Sequence, residues 1–170
     1  MSYIHIKTEQ ITGGVSTYDI DDIFSADYDV YKIYVNGKEV STNNNHIALQ
    51  FRDSSGTITT TNYDMAWVGS SSTQTTLTNE RYSAQSTTRR FIYMHTNNLG
   101  AGANLTIFNP YSTSYYTQFM SQHASYSSLS YANVGLGALR TFDQVTGLRF
   151  YADGTLVMDD INVAVYGLKE

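Results

Sequence analysis

The side chains that could do chemistry are spread thinly along this 170-residue chain. Its four histidines, His5, His46, His95 and His123, stand far apart, and three of them occupy polar-phase positions of strand-like segments. Nucleophilic catalysis needs a serine or similar group held by a base. No G-x-S-x-G elbow is present, nor an H-E-x-x-H zinc motif or a phosphate-binding loop. Glycoside hydrolysis needs two carboxyls facing each other across a cleft. Asp159 and Asp160 are neighbours on a strand pattern, where successive side chains point to opposite faces, so they are not placed for it. The densest acidic run, "DIDDIFSADYD", supplies Asp19, Asp21, Asp22, Asp27 and Asp29. It reads either as a calcium site, since that ion takes several oxygen ligands, or as a solvated loop leading into a strand at 29–35. The spacing lacks the glycine and terminal glutamate of an EF-hand loop. No catalytic residue, metal site or cofactor is expected. The sequon "NLT" at Asn104 lies within a strand pattern and reads as chance.

The totals narrow the function classes further. There is no cysteine, which excludes a disulfide-stapled scaffold, a thiolate metal site and a cysteine nucleophile. Net charge is −5 and Arg89-Arg90 is the only adjacent basic pair, reading as an exposed strand start, so no nucleic-acid partner is expected. The opening "MSYIHIKTEQ" has neither the basic flank nor the apolar run of a signal peptide, and no stretch nears ~18 consecutive apolar residues. The expectation is a soluble, unprocessed chain without a membrane partner.

The elements that must position any site are strands. Fifteen tyrosines and seven phenylalanines stand against 15% charged residues, a composition suited to pleated, half-buried surfaces. In "HIALQFR", Ile47, Leu49 and Phe51 alternate with His46, Ala48, Gln50 and Arg52, as in a half-buried antiparallel strand. "DVYKIYV" sets Tyr31, Ile33 and Val35 on one face, and "INVAVYG" does the same with Ile161, Val163 and Val165. Similar alternation marks 3–8, 91–96, 103–109, 115–121 and 148–151, and more weakly 57–63 and 131–139. Turn chemistry separates them: "DSSG" at 53–56, "NG" at 36–37 as a hairpin or bulge, and "ADG" at 152–154 as a type I′ hairpin turn. "TNERYSAQ" at 78–85 predicts at most one short helical turn, and "GSSSTQTT" at 69–76 a polar loop. With both ends tied into sheets, the pattern predicts one all-β domain over 1–170. Its expected form is a two-sheet antiparallel β-sandwich, jelly-roll-like, with few or no helices.

The segment "TIFNPYSTSYYTQF" is the aromatic cluster that stands out. Asn109-Pro110 predicts the end of one strand, because proline cannot donate to a ladder and asparagine favours turns. Tyr111 falls in the turn. "SYYTQFM" predicts a return strand with Tyr115, Thr117 and Phe119 on one face and Tyr116, Gln118 and Met120 on the other. Tyrosine has a flat apolar body and a polar tip, which suits a covered outer face as well as a core. Tyr111, Tyr115, Tyr116 and Tyr126 are the candidate interface residues.

Three segments occur in fixed order: "IFSADYDVYKIYV", "IFNPYSTSYYTQFMSQHASY" and "TGLRFYADGTLVMDDINVAVYGLKE". This order resembles small virion structural proteins of tailed bacteriophages of the marine and cyanobacterial type. The resemblance spans nearly the whole chain through loose, strand-like motifs. It implies a jelly-roll sandwich on the particle surface, acting as a capsid decoration (cement) protein or as a tail or fibre component, with no catalytic residues. Absent heptads and shaft repeats favour decoration. The implied partners are the major capsid protein and other virion proteins, with the chain itself a homotrimer. A tail module binding a host-surface glycan through exposed tyrosines is the alternative.

Overall fold

Alternating apolar residues must bury one face of each strand, and two sheets facing one another satisfy all of them at once. The computed structural model describes residues 2–39, 45–58, 61–94, 100–126, 130–152 and 157–169. Along them run β1 (Ser2–Ile11), β2 (Thr17–Ile20), β3 (Val30–Glu39), β4 (Asn45–Asp53), β5 (Gly56–Thr57), β6 (Tyr63–Ser71) and β7 (Thr78–Gln85). They continue as β8 (Thr88–Met94), β9 (Gly100–Phe108), β10 (Thr117–Tyr126), β11 (Ser130–Leu139), β12 (Gly147–Ala152) and β13 (Met158–Lys169). No helix occurs among the described residues. The larger sheet has the order β1-β13-β3-β9-β10-β11-β6-β7; the smaller has β2-β12-β4-β5, with β8 also pairing β4. Every pairing between these strands is antiparallel. The expected all-β sandwich is the observed architecture.

One hydrophobic cluster joins the sheets. Tyr31, Ile33, Val35, Leu105, Ile107, Val163 and Val165 from the larger sheet meet Ile47, Leu49, Phe51, Leu148 and Phe150 from the smaller. The predicted faces of β3 and β13 are those observed. Strand β4 differs: Ala48 and Gln50 are buried as well as Leu49 and Phe51, so it is covered on both sides. Gln50 donates to the carbonyl of Ser86 at 3.1 Å, which marks the link between β7 and β8 as the cover. Thr88, fully buried, completes the ladder where β8 slips register against β4. Its hydroxyl accepts from Leu49 N at 2.7 Å and donates to Leu49 O at 3.1 Å. The tyrosine hydroxyl of Tyr63 serves the same purpose across the sandwich, accepting from Phe51 N at 2.8 Å and donating to Ile58 O at 3.0 Å.

Several sequence expectations are corrected. Residues 78–85 form an edge strand, not a helical turn; the register slips by one residue against β6 near Ala84, whose φ is 53° and whose N–H is held by Asp64. "NG" at 36–37 makes no hairpin. Gly37 sits inside β3 opposite a bulge in β13, where Asp160 has φ 53°, and a side chain at Gly37 would collide with the Asp160 carbonyl. The predicted hairpin turn "ADG" at 152–154 runs into residues 153–156, which lie outside the described residues; the strands on either side, β12 and β13, belong to different sheets. "DSSG" does turn as expected: Asp53 Oδ1 accepts from the N–H groups of Ser55 and Gly56 at 2.8 and 3.0 Å. The weak 57–63 pattern resolves into the two-residue β5 and the first residue of β6. Strands β2 and β6 are not marked by the alternation pattern, and "GSS" at 69–71, the start of the predicted polar loop, belongs to β6. Both chain ends are paired, β1 against β13.

Candidate binding surface on the larger sheet

On β10 and β11 the usual polarity of a sandwich strand is inverted. The inward face of β10 carries Thr117, Phe119, Ser121, His123 and Ser125, and its outward face carries Gln118, Met120, Gln122, Ala124 and Tyr126. On β11, Gly135 and Gly137 face inward while Val134 and Leu136 face out. The glycines are needed: a Cβ at Gly137 would collide with the Phe119 ring and the Asp64 carbonyl. Apart from Phe119 and Leu139, small and polar residues therefore fill the inside, while Met120, Tyr126, Val134 and Leu136 are turned to solvent.

Register aligns them into rows. One row runs Val68, Val134, Gln122, Asn104, Tyr34 and Ala164; the next runs Ala66, Leu136, Met120, Thr106, Lys32 and Tyr166. Leu136 is 60% exposed, Met120 and Tyr34 47%, Val134 45% and Val68 40%. Lys32 is the one charged side chain among these twelve residues, and Arg81 of β7 continues the second row beside Ala66. With strands ~4.8 Å apart, six strands span about 25 Å, and including the neighbouring rows the face reaches roughly 500–600 Å². That approaches the ~800 Å² which each partner contributes to a standard protein interface. Two shallow grooves flank the Met120–Leu136 ridge, one beside Tyr34 and Leu77 and the other beside Phe108 and Tyr82. A surface of this kind binds by burying apolar area, not by chemistry. The sequence reading missed β6 and the outer face of β11, because apolar residues on both phases blur the alternation that marks a strand.

The tyrosines predicted to form the interface do not converge. Tyr115 and Tyr116 precede β10 and sit in the 109–116 connection, so their predicted assignment to opposite faces of a strand is wrong. Asn109, with φ 53°, does end β9, and Pro110 O accepts from Val145 N at 2.8 Å, tying this loop to the one after β11. Tyr116 stacks on Phe142 of that second loop, with centroids 4.9 Å apart at 30°. Tyr115 and Phe142 are well exposed, and Tyr111 is half-buried. Tyr126 lies at the far end of β10, roughly 30 Å away by strand rise. It borders the outer face, whereas the other three cap one end of the sandwich.

Three carboxylates of the acidic run are committed to protein partners. Asp19 accepts from Arg149 at 2.6 and 2.8 Å and pairs with Arg52 at 2.8 Å; Asp21 pairs with Arg52 at 2.6 Å. Asp27 accepts from the Ser25 hydroxyl. Asp159 accepts from Gly13 N at 2.9 Å, and Asp160 is reached by Gln10. Among the described residues no three His, Asp or Glu side chains gather as a metal site. His123 is buried with its Nε2 2.7 Å from Asn133 Nδ2, and His95 lies outside the described residues.

The hydrogen bond from Arg149, more than charge alone, holds the Asp19 carboxyl below its ordinary range. A lowered folded-state pKa stabilises the fold above the unfolded value of ~3.9 and loses that contribution as pH falls through it. Melting followed below about pH 4 is therefore expected to show acid destabilisation that is shallower in Asp19→Asn, which cannot titrate.

No protein-family model, curated protein or solved structure matches this chain. Among the described residues no helix is long and apolar enough to cross a membrane.

Proposed function

We propose that this protein is a non-enzymatic structural component of a bacteriophage particle, a capsid decoration (cement) protein that bridges and stabilises neighbouring capsid subunits. The observation that carries the reading is the inverted polarity of β10 and β11, which leaves a nearly uncharged apolar face on the outside of the larger sheet. A cement protein needs such a face and no chemistry, and the resemblance in the three ordered segments points the same way. The partners are then the major capsid protein and other virion proteins, with the chain as a closed trimer on the particle surface. Jelly-roll wiring is compatible with the repeated crossing between sheets. An image of the intact particle tests it. Density for this chain on the shell, with the Leu136 face against a neighbour, supports the reading; density only on the tail or baseplate ends it.

A second reading, a receptor-binding tail module, draws on the exposed Tyr116–Phe142 stack with Tyr115 beside it. Tyr115→Ala and Tyr116→Ala are then expected to abolish adsorption while the domain stays folded. Unchanged adsorption by the folded variants removes this reading.

A further inference from the structure

At the β6 end of the larger sheet, a cavity of about 150 Å³ opens between β6, β11 and the turn that follows β6. We propose that it is a binding site for one neutral sugar ring. Trp67 and Tyr131 line it, together with Gln74, Asn133 and Thr78. A ~150 Å³ cavity takes a bare six-membered ring such as benzene, so a sugar would seat one ring face with its remaining substituents at the open mouth. Aromatic walls suit the C–H face of a sugar, and amides suit its hydroxyls, since each offers donors and an acceptor in one plane. A purely apolar ring fits less well, because it would strip water from the amides and the hydroxyl without replacing those hydrogen bonds. Among the described residues no charged side chain lines the cavity, which selects against acidic or phosphorylated sugars.

The polar groups are held in place before any ligand arrives. Gln74 Oε1 accepts from Ser71 N at 2.8 Å and its Nε2 donates to Thr78 Oγ1 at 3.4 Å. Asn133 is anchored through Nδ2 to His123 at 2.7 Å, and its Oδ1 takes no hydrogen bond from a described residue. Gly69 has to lack a side chain there, because a Cβ would collide with the Asn133 amide. The turn is docked on β11 through Ser72 N to Ser130 O at 2.9 Å. Pre-organisation of this kind reduces the ordering cost of binding.

The inference rests on this cavity alone and does not depend on the virion reading, so particle imaging and sugar binding fail separately. Trp67 is the only tryptophan, so its emission reports occupancy directly. Neutral hexoses and N-acetylhexosamines titrated into the full chain are expected to change that emission saturably, with Kd on the order of 1 mM for the best of them. Glucuronate and phenol are expected to bind more weakly. Gln74→Ala, in an exposed turn, and Asn133→Ala are each expected to weaken binding up to about tenfold with the melting transition retained. A folded protein whose emission responds saturably to none of the neutral sugars overturns the proposal. So does a response that both variants leave intact, or one matched by phenol or glucuronate.

Discussion

Leu136→Asp is expected to leave the sandwich folded and to weaken docking to capsid shells by at least about a hundredfold. Leu136 is 60% exposed, between Ala66 and Met120 on the outer face, and supports no core contact that its loss would empty. Truncation at exposed strand positions changes stability by about 1 kcal/mol or less. In the complex proposed above, the same position would be buried and dry. Losing a leucine there removes about 2 kcal/mol of burial, and a carboxylate left without a partner adds a further penalty. Together these exceed the ~2.7 kcal/mol that a hundredfold represents. Co-sedimentation with shells lacking the protein, paired with thermal melting of the free variant, separates docking from folding. Full binding by a folded Leu136→Asp protein means that this face is not the contact.

Tyr63→Phe is expected to destabilise the fold by about 3 kcal/mol, roughly 6–12 °C in Tm for a domain of this size. The substitution keeps the ring, stacked 6.0 Å from Phe51, and removes only the hydroxyl. That hydroxyl joins the sheets, since Tyr63 belongs to the larger one while Phe51 N belongs to the smaller and Ile58 O directly follows its strand β5. Without it a buried donor and a buried acceptor lose their partners, and water does not reach them. Burial also pushes the Tyr63 hydroxyl well above the ordinary tyrosine range. A raised folded-state pKa gives stability that is present below the unfolded value of ~10 and lost as pH rises beyond it. Denaturant melts above pH 10 are therefore expected to show a steeper alkaline loss in the wild type than in Tyr63→Phe. A variant within 1 kcal/mol of wild type, by urea titration at neutral pH, counts against the tie.

Some of this molecule is legible in its residues. Tyr31, Ile33 and Val35, and Ile161, Val163 and Val165, alternate with polar or small neighbours, and a period of two leaves no other way to bury them than a sheet with one face inward. Asn109-Pro110 ends a strand because of local chemistry: one residue tolerates positive φ and the other has no N–H to give. Class of fold, strand phase in the core and several turns are local properties of this kind. Function-bearing features were harder to read. Apolar residues at Val134, Leu136 and Met120 look like core to any pattern argument, and only the glycines and serines on their inner faces reverse that conclusion. Those are small because Phe119 and the neighbouring strand backbone occupy the space, which is a fact about packing partners far away in the chain.

The acidic run and the tyrosines show the same division. Asp19 and Asp21 are near one another in sequence, but their partners Arg52 and Arg149 arrive through pairing of β2, β12 and β4. Tyr116 meets Phe142 because two loops share a hydrogen bond, while Tyr126, close in sequence, is carried away by the length of β10. The sequence by itself determined that this chain folds as antiparallel sheets with a buried aliphatic core, since periodicity and turn residues act over a few neighbours. Only the tertiary structure decided which apolar residues face solvent, which charges cancel and which rings meet. Those outcomes depend on register between strands and on what the opposite sheet leaves room for.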